Sequence, residues 1–297
     1  MKELNNVYRA HIQFGKDAHE KIKMDKDSFN ELLEKAKEIF KEPKKPKILF
    51  WDVETSMMLG GFFGLYNQDI NFCNVIQDWF IISVQWSWDD QKKVNTASVL
   101  DDMKAFDKDH TDDAVVIKKI HEILTEADIV VHHNGDKFDI KKFNARAIVL
   151  GLEPIAESKT VDTLKEARKI AKFSSNRLGD LCDILEIEVK KLKVGMPNAW
   201  IKATTGCQDA VKAIVKYGKG DIPTLRAVYM KLRPYMKMHP NMNLYLGTSS
   251  NCKKCGSEDT IHDGKQFNRT TTKLRIKCRD CGGRSVTNII IDRAKVS

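Results

Sequence analysis

Acidic side chains occur at three points of the sequence in settings typical of a divalent-metal site. Asp52 and Glu54 are two residues apart at the end of an apolar run that predicts a β-strand, so both carboxylates leave the same face. Asp139 lies in the first turn of a predicted helix, and Asp221 follows Tyr217 by four residues, which places both on one helix face. Carboxylates in close proximity repel each other unless a cation joins them, and Mg²⁺ and Mn²⁺ prefer such oxygen ligands.

Each of these three pieces also has an ordinary structural explanation. An isolated Asp-x-Glu pair is commonly solvated. An acid in the first helical turn can simply complement the helix macrodipole, and Asn134 with Gly135 can simply form the preceding turn. Gly218 and Gly220 are poor helix formers, so the third acid could lie at the surface of a frayed turn. Their combination is therefore more informative than any one of them.

Taken together, the three pieces resemble the ordered motifs of the DEDD, or DnaQ-like, 3′→5′ exonucleases, which have a ribonuclease H-like fold. The matching residues are Asp52 and Glu54 for Asp-x-Glu, Asn134, Phe138 and Asp139 for Asn-x2–3-(Phe/Tyr)-Asp, and Tyr217 and Asp221 for Tyr-x3-Asp. Lys216 occupies the position at which the His subtype has histidine, so the chain resembles the Tyr subtype. Within that subtype it is similar to proofreading domains of family B polymerases and to stand-alone phage and bacterial relatives, over about residues 47–236.

The resemblance implies hydrolysis of phosphodiester bonds by a two-metal mechanism, with two Mg²⁺ or Mn²⁺ ions as cofactors. By this analogy, Asp52 bridges the two ions. Glu54 and Asp221 complete the ion on the nucleophile side, and Asp139 holds the leaving-group ion, directly or through water. Tyr217 orients the attacking water molecule.

Further residues are candidates for shaping the substrate site. The resemblance assigns this role to Asn134 and Phe138. Met57 is a candidate because it closely follows the acidic pair in segment 56–78, which is rich in apolar residues but has no clear period. The default expectation for this segment is an irregular loop packed on the core, and contact with substrate is the alternative. Asp162, at the end of a predicted short strand, is an auxiliary candidate for the acidic site.

Four of the seven cysteines form two Cys-x2-Cys pairs separated by 22 residues: Cys252, Cys255, Cys278 and Cys281. Two such knuckles predict a closed, tetrahedral and structural Zn²⁺ site, and a pattern of this kind resembles the zinc ribbons of nucleic-acid enzymes and transposases. A redox pair is the alternative. So small a unit needs the metal to fold. The remaining three cysteines are scattered, which argues against a disulfide framework.

The chain is basic, with a formal net charge of +9, and much of the excess lies near the C-terminus. Residues 251–297 contain 11 Lys and Arg against 5 Asp and Glu, a net charge of +6. We therefore expect the ribbon to contact nucleic-acid phosphates, although protein docking or a merely solvated face would give the same composition. The candidates are Lys253, Lys254, Arg269, Lys273, Arg275, Lys277, Arg279 and Arg284.

The elements that must position these residues alternate between strand and helix. Apolar spacing predicts an early helix over residues 28–41 with Ser28 as its N-cap, followed by strands at 47–55, 80–88, 94–100, 128–132 and 161–163, helices at 112–127 and 138–150, and mainly helix from 164 to 236. This order predicts an α/β fold, a ribonuclease H-like mixed sheet flanked by helices, with a small C-terminal zinc ribbon. The expected divisions are a helical N-terminal extension (1–46), an exonuclease domain (47–238), a linker (239–250) and the ribbon (251–297).

Composition narrows the class of protein. Hydrophobic residues make up 42% and charged residues 31%, which is globular, and no apolar run approaches the ~18 residues of a membrane helix. Because no leader-like segment is visible, we expect a cytoplasmic protein. No polymerase-like segment follows the motifs, so we expect an exonuclease that does not proofread in cis. The expected partner is nucleic acid, with single-stranded 3′ ends and DNA favoured.

Two other functions remain open at this stage. An exoribonuclease would have the same acidic site, because no short motif encodes contacts to the 2′-OH. A non-catalytic nucleic-acid-binding protein could retain the fold, but all four acids and the tyrosine are present. The N-terminal helix is expected to pack on the main domain, with a partner-binding arm as the alternative.

Overall fold

The computed structural model of the protein describes residues 2–40, 44–64, 66, 70–189, 192 and 194–293. The α-helices are α1 (Lys2–Phe14), α2 (Ala18–Lys21), α3 (Lys26–Phe40), α4 (Met103–Lys108), α5 (Ala114–Glu126), α6 (Asp139–Val149), α7 (Thr163–Ile170), α8 (Leu178–Ile184), α9 (Ala199–Thr204), α10 (Gln208–Leu232) and α11 (Met242–Leu246). The β-strands are β1 (Ile48–Thr55), β2 (Leu59–Gly60), β3 (Val75–Gln77), β4 (Ile81–Trp88), β5 (Asn95–Ser98), β6 (Ile129–His132), β7 (Lys159–Asp162), β8 (Thr260–Phe267), β9 (Thr271–Cys278) and β10 (Arg284–Arg293).

A five-stranded mixed sheet in the order β5-β4-β1-β6-β7 forms the centre of the larger unit. The β4 strand pairs antiparallel with β1 and with β5, whereas β6 pairs parallel with β1 and with β7. The apolar start of β1, residues 48–51, is fully buried, because helices cover the sheet on both faces. The predicted α/β fold with a mixed sheet is confirmed.

Two helices pack directly on the antiparallel half of the sheet, which consists of β1, β4 and β5. The 25-residue helix α10 packs against β1 and β4, and α5 packs against β4 and β5. Five apolar residues of the predicted helix 112–127 recur at helical spacing, which predicts an inward face, and all five are buried: Val116, Ile117, Ile120, Ile123 and Leu124. Arg146 of α6 holds Asp113 in a buried ion pair at 2.8 Å, and Asp113 also accepts a hydrogen bond from the backbone N–H of Ile81 at 2.9 Å.

The N-terminal helices form a compact unit that comprises residues 1–45 together with 244–248. Val7 of α1 and Phe29 and Leu33 of α3 belong to its own buried apolar cluster. The expected cap, Ser28, is inside the helix instead. Asp25 accepts the hydrogen bond from the backbone N–H of Ser28 at 2.9 Å and so caps α3, which begins at Lys26.

Two connecting segments have more structure than the sequence predicted. Segment 56–78 contains the antiparallel hairpin β2–β3, and its apolar side chains do not pack on the core: Met58, Phe62, Phe63, Phe72 and Ile76 are all at least half exposed. The expected packed loop was therefore wrong. Segment 239–250 contains α11, and Asn243 within it is buried and donates to the carbonyl of Asn251 at 2.9 Å.

The C-terminal residues form a separate three-stranded antiparallel sheet in the order β10-β9-β8. Residues 270–276 and 286–291 alternate in hydrophobicity, which predicts two ribbon strands, and these correspond to β9 and β10. Strand β8 was not predicted. Among the described residues, no helix is both long and apolar enough to span a membrane.

Candidate functional site

Three carboxylates converge at the end of β1. Asp52 and Glu54 leave one face of β1, and Asp221 reaches them from α10, with oxygen atoms of all three within 4.8 Å of one another. Asp221 is 5% exposed, while Asp52 and Glu54 are half-buried. Three like charges at this distance are unfavourable without a cation, and hard oxygen donors suit Mg²⁺ or Mn²⁺. The side chains therefore fit a divalent-metal site.

The fourth acid, Asp139, lies at the same end of the sheet but outside that group of three. Its Oδ1 accepts a hydrogen bond from the backbone N–H of Val53 at 3.1 Å, which ties it to β1 between the two other acids. Burial raises the pKa of Asp139 to about 6, although the charge of His132 and the Val53 N–H act in the opposite direction. A nearby cation favours the ionised carboxylate, so metal binding and deprotonation of Asp139 are coupled.

Tyr217 lies one helical turn before Asp221 on α10, and its ring is half-buried. The edge-to-face contact with Trp200 of α9 has ring centroids 5.7 Å apart at 80°. Sequence reasoning missed Trp200, because its position relative to the third motif depends on how α9 folds back onto α10. The contact restricts the orientation of the Tyr217 ring.

Close packing explains the two glycines that follow Tyr217, at positions 218 and 220. A Cβ at Gly218 would lie 2.5 Å from Oε1 of Gln85 on β4, and a Cβ at Gly220 would lie 2.7 Å from Cγ of Leu192. Glycine thus allows α10 to approach β4 closely in the turn that contains Tyr217. The helix is continuous through this region, so the frayed turn considered above was wrong.

Comparison with known proteins gives one family match and two similar proteins. A sequence model of the RNase H superfamily matches residues 79–233, about half of the chain. The chain belongs to the RNase H superfamily. It is 40% identical over 77 residues to the PolC-type DNA polymerase III of Ureaplasma parvum serovar 3, a match that covers 26% of this chain and 5% of that polymerase. A solved structure of the family B DNA polymerase from the archaeon Pyrobaculum calidifontis also matches, with a TM-score of 0.47, 11% identity, and coverage of 77% of this chain and 32% of that one.

In this RNase H superfamily chain, the second motif forms a tight turn between β6 and α6. Asn134 has a φ of 69°, and its carbonyl accepts hydrogen bonds from the backbone N–H groups of Lys137 and Phe138, both at 3.1 Å. The ring of Phe138 is 40% exposed, and the Nζ atom of Lys142 lies 5.6 Å from its centroid. Asn134 therefore shapes the turn, and the Phe138 ring is accessible beside Asp139.

Asp162, the auxiliary candidate, serves as a hydrogen-bond acceptor for two elements. Its buried Oδ1 accepts from the backbone N–H of Asn134 at 2.9 Å and from that of Leu164 at 3.0 Å, so it caps α7 and fixes the turn of the second motif. Its charge also contributes to the raised pKa of Asp139. Asp162 forms a second polar group with His132 and Asp136, separate from the three converging carboxylates.

The hairpin after the first motif is attached beside the Tyr217–Trp200 pair. The backbone N–H of Met57 donates to Oγ1 of Thr204, and Nε2 of Gln77 donates to the Thr204 carbonyl, both at 3.0 Å. Thr204 also donates to the carbonyl of Trp200 at 2.8 Å. The two ends of the hairpin therefore meet at α9, and Met57 itself is 47% exposed.

The four paired cysteines converge in the ribbon. Sγ of Cys252 lies 3.7 Å from Sγ of Cys281, and Sγ of Cys255 lies 3.6 Å from Sγ of Cys278. The edge of a sulfur tetrahedron around zinc is about 3.8 Å for Zn–S distances of about 2.3 Å, so the side chains fit a tetrahedral Zn²⁺ site. The residues that follow the two knuckles, Gly256 and Gly282, have φ values of 81° and 72°, which favour glycine.

The basic residues of the ribbon are in unequal surroundings. Lys254 is buried and donates to the carbonyl of Pro234, so it fastens the ribbon to the end of α10 and is not available to an outside ligand. Arg284 pairs with Asp263 at 2.8 Å, and Arg279 pairs with Asp259 at 3.7 Å. Lys277 is exposed. The expected basic surface is thus smaller than the composition suggested.

Proposed function

We propose that this chain is a divalent-metal-dependent 3′→5′ exonuclease of the DEDD type, which removes nucleotides from the 3′ ends of nucleic acids, with DNA favoured. The observation that carries the proposal is the convergence of Asp52, Glu54 and Asp221 within 4.8 Å. Asp139 is attached to the same strand through Val53. Solvated surface acids would have no reason to meet across β1, α10 and α6.

The proposed cofactors are two Mg²⁺ or Mn²⁺ ions. Asp52 would contact both, Glu54 and Asp221 would complete the nucleophile side, and Asp139 would hold the leaving-group side. When bound, the ions supply an activated hydroxide and stabilise negative charge on the leaving oxygen. The proposed structural cofactor of the ribbon is one Zn²⁺, held by the four thiolates of Cys252, Cys255, Cys278 and Cys281.

The remaining residues are proposed to position water and substrate. Tyr217 would hold the attacking water through its hydroxyl, while Trp200 keeps its ring in place. Asn134 and Phe138 would shape the pocket for the terminal nucleotide. Met57 and the exposed aromatic rings of the hairpin, such as Phe63, would stack on unpaired bases, because aromatic faces bind single strands without sequence preference.

Digestion of oligonucleotides tests this proposal. Single-stranded DNA, duplex DNA and RNA, each labelled separately at the 3′ and 5′ ends, are incubated with Mg²⁺, Mn²⁺ or EDTA. We expect loss of the 3′ label first, dependence on the divalent ion, and no activity in Asp52→Asn or Asp221→Asn. Asp209→Asn is the matched control, because this acid is also on α10 but is exposed and pairs with Lys212. Phe63→Ser should raise KM for single strands.

The same assay separates the alternatives. Faster digestion of RNA than of DNA would make the chain an exoribonuclease with the same site. Binding of oligonucleotides without any divalent-dependent cleavage would identify a non-catalytic nucleic-acid-binding protein. Undiminished cleavage by pure Asp52→Asn protein would contradict the assignment of the acidic site.

A further inference from the structure

A cleft of about 660 Å³ separates the end of α10 from the zinc ribbon. Its walls come from both sides of this junction. Lys231 and Tyr235 contribute from the catalytic unit, and Lys277 and Arg284 contribute from the ribbon. None of the described residues that line it is acidic.

The charges of this cleft favour an anionic ligand. Arg284 is partly neutralised by Asp263, at 2.8 Å. Lys231 and Lys277, in contrast, have no carboxylate partner within the described part of the chain, and both are exposed. Two unneutralised cations on opposite walls can contact a phosphate group between them.

An aromatic ring beside the cations narrows the class of ligand. Tyr235 is 70% exposed and lies in the same cleft. Cations that follow a phosphodiester backbone, combined with aromatic faces that stack on bases, are the usual means by which proteins hold single-stranded nucleic acid. An inorganic anion alone would make no use of the ring.

The two walls are held in a fixed relation. Lys254 of the ribbon donates to the carbonyl of Pro234, the residue before Tyr235. The backbone N–H of Met242 also donates to the carbonyl of Lys253 at 2.9 Å. The cleft is therefore formed before any ligand binds, which lowers the entropic cost of binding.

The cleft and the acidic site are both built on α10, which contributes Lys231 to one and Asp221 to the other. A second cleft, lined by Ile222 and Pro223 among others, shares Met230 with it, so the two adjoin along the helix. Ten residues separate Asp221 from Lys231, which is about 15 Å at the helical rise of about 1.5 Å per residue. A strand that keeps the B-form rise of about 3.4 Å per nucleotide along its axis covers this distance with about four nucleotides.

We propose that this cleft binds the phosphodiester backbone of a single strand about four nucleotides away from the end held at the acidic site, with Lys231 and Lys277 as the phosphate contacts and Tyr235 as a stacking surface. This inference rests on the proposed nuclease function for the direction of the strand. It assigns the ribbon the function of binding long substrates beside the catalytic unit.

Binding measurements on a double variant test the proposal. Lys231→Gln/Lys277→Gln removes both contacts, and Lys104→Gln/Lys118→Gln removes the same charge from exposed lysines of α4 and α5 as a control. The probes are fluorescent dT20 and U20 with phosphorothioate linkages, and their Kd is measured at 50 and 200 mM salt. Losing two single-strand phosphate contacts should reduce the salt effect on Kd over this range by roughly sevenfold.

A charge-conserving variant, Tm measurements and the comparison of the two probes complete the experiment. Lys231→Arg/Lys277→Arg should bind like the parental protein, and the Tm of all variants should stay unchanged because the lysines are exposed. Weaker binding of dT20 alone would identify DNA as the ligand, and of U20 alone RNA. Three results would overturn the proposal. They are an equal increase in Kd in the control variant, an unchanged Kd and salt dependence in the cleft variant, and no binding of either probe by the parental protein.

A parallel cleavage assay keeps the two proposals apart. If the parental protein binds dT20 through the cleft but never cleaves unmodified dT20 with Mg²⁺ or Mn²⁺, the nuclease proposal fails and the cleft remains a binding site. If it cleaves trinucleotides and dT20 alike, and the cleft variant does the same with unchanged Kd, the nuclease proposal stands and the cleft proposal fails.

Discussion

The ring and the hydroxyl group of Tyr217 can serve separate functions, since the ring packs on Trp200. Its backbone position, one turn before Asp221, directs it towards the converging carboxylates, while Trp200 packs against its ring at 5.7 Å. A hydroxyl that positions water and a ring that only fills space would require the same packing. The distinction between them depends on a single oxygen atom.

Replacing Tyr217 with phenylalanine removes that oxygen and keeps the ring. We expect turnover to fall roughly tenfold to several hundredfold under single-turnover conditions, less than the ~10²–10⁴ typical of proton-handling groups, because bound metal supplies much of the activation. Tm and substrate affinity should hold. Trp200→Phe, which disturbs the ring contact and leaves the hydroxyl, is the companion variant. A Tyr217→Phe enzyme with the parental rate would reduce Tyr217 to packing.

A second residue-level prediction concerns His239, which hydrogen-bonds to the hydroxyl of buried Tyr229 at 2.7 Å. Burial lowers the pKa of His239 to about 4, against the smaller opposing effect of the Pro240 carbonyl. Between about pH 4 and pH 6.5, His239 is therefore protonated in the unfolded chain but neutral in the folded chain. The part of the free energy of unfolding that depends on a neutral His239 is therefore complete above about pH 6.5. It decreases as the pH falls towards 4.

Urea unfolding at pH 7 and pH 5 measures this effect. The His239 contribution to the free energy of unfolding should decrease by about 2 kcal/mol between these values. His239→Gln should lack that decrease, while any loss of thiolate-bound metal at low pH affects both proteins equally. Identical pH dependence in the two would contradict the buried, neutral histidine.

At the level of elements, α10 determines the geometry of the site. It contributes Tyr217 and Asp221 and packs on β4, where Gln85 occupies the space that a side chain at position 218 would need. The glycine is thus a spacer that sets how closely the helix approaches β1 and its two acids.

Gly218→Ala should push α10 away from β4, because its Cβ would lie 2.5 Å from Oε1 of Gln85. We expect a loss of about 1–3 kcal/mol in the free energy of unfolding and a parallel loss of activity. Adding Gln85→Ala should relieve the clash and recover part of both. Gly195→Ala, where a Cβ meets nothing within 4 Å, is the neutral control. Full activity in Gly218→Ala would show that the helix can shift freely.

The sequence predicted the elements whose signal is local. The apolar run of β1, the period of α5 and the spacing of the cysteine knuckles all reflect contacts within a few residues. Segment 56–78 was misjudged because apolar residues usually indicate burial, yet these remain exposed on a hairpin. Strand β8 was missed because its mostly exposed residues have little apolar alternation. The role of Gly218 depends on Gln85, which is 133 positions away, so no local pattern could reveal it.

For the molecule as a whole, the zinc ribbon packs on the end of α10 and belongs to the same compact unit as the central sheet. Residues 46–243 and 249–297 form one compact unit, and Lys254 is buried against the turn that ends α10. The same helix carries Asp221 at its middle. The state of the thiolate site should therefore affect the stability of α10 and of the acidic site to which it contributes.

Zinc analysis and calorimetry test this coupling. We expect one zinc per chain in protein purified without chelator, and none in Cys278→Ser. Loss of the metal should lower the Tm of the transition that also abolishes activity, since the ribbon and α10 share contacts. An unchanged main transition, together with a separate small one, would show that the ribbon unfolds alone.

Thr204 has a consequence for how this fold can diversify. Both ends of segment 57–77 meet at this one residue of α9, so the chain between them begins and ends at nearly the same point. The entropy of closing a loop grows only slowly with its length once the ends are fixed. Insertions and deletions in this segment should thus be tolerated by the central sheet. The hairpin can therefore change in length and sequence while the acidic site stays the same. Related chains can acquire different substrates in this way.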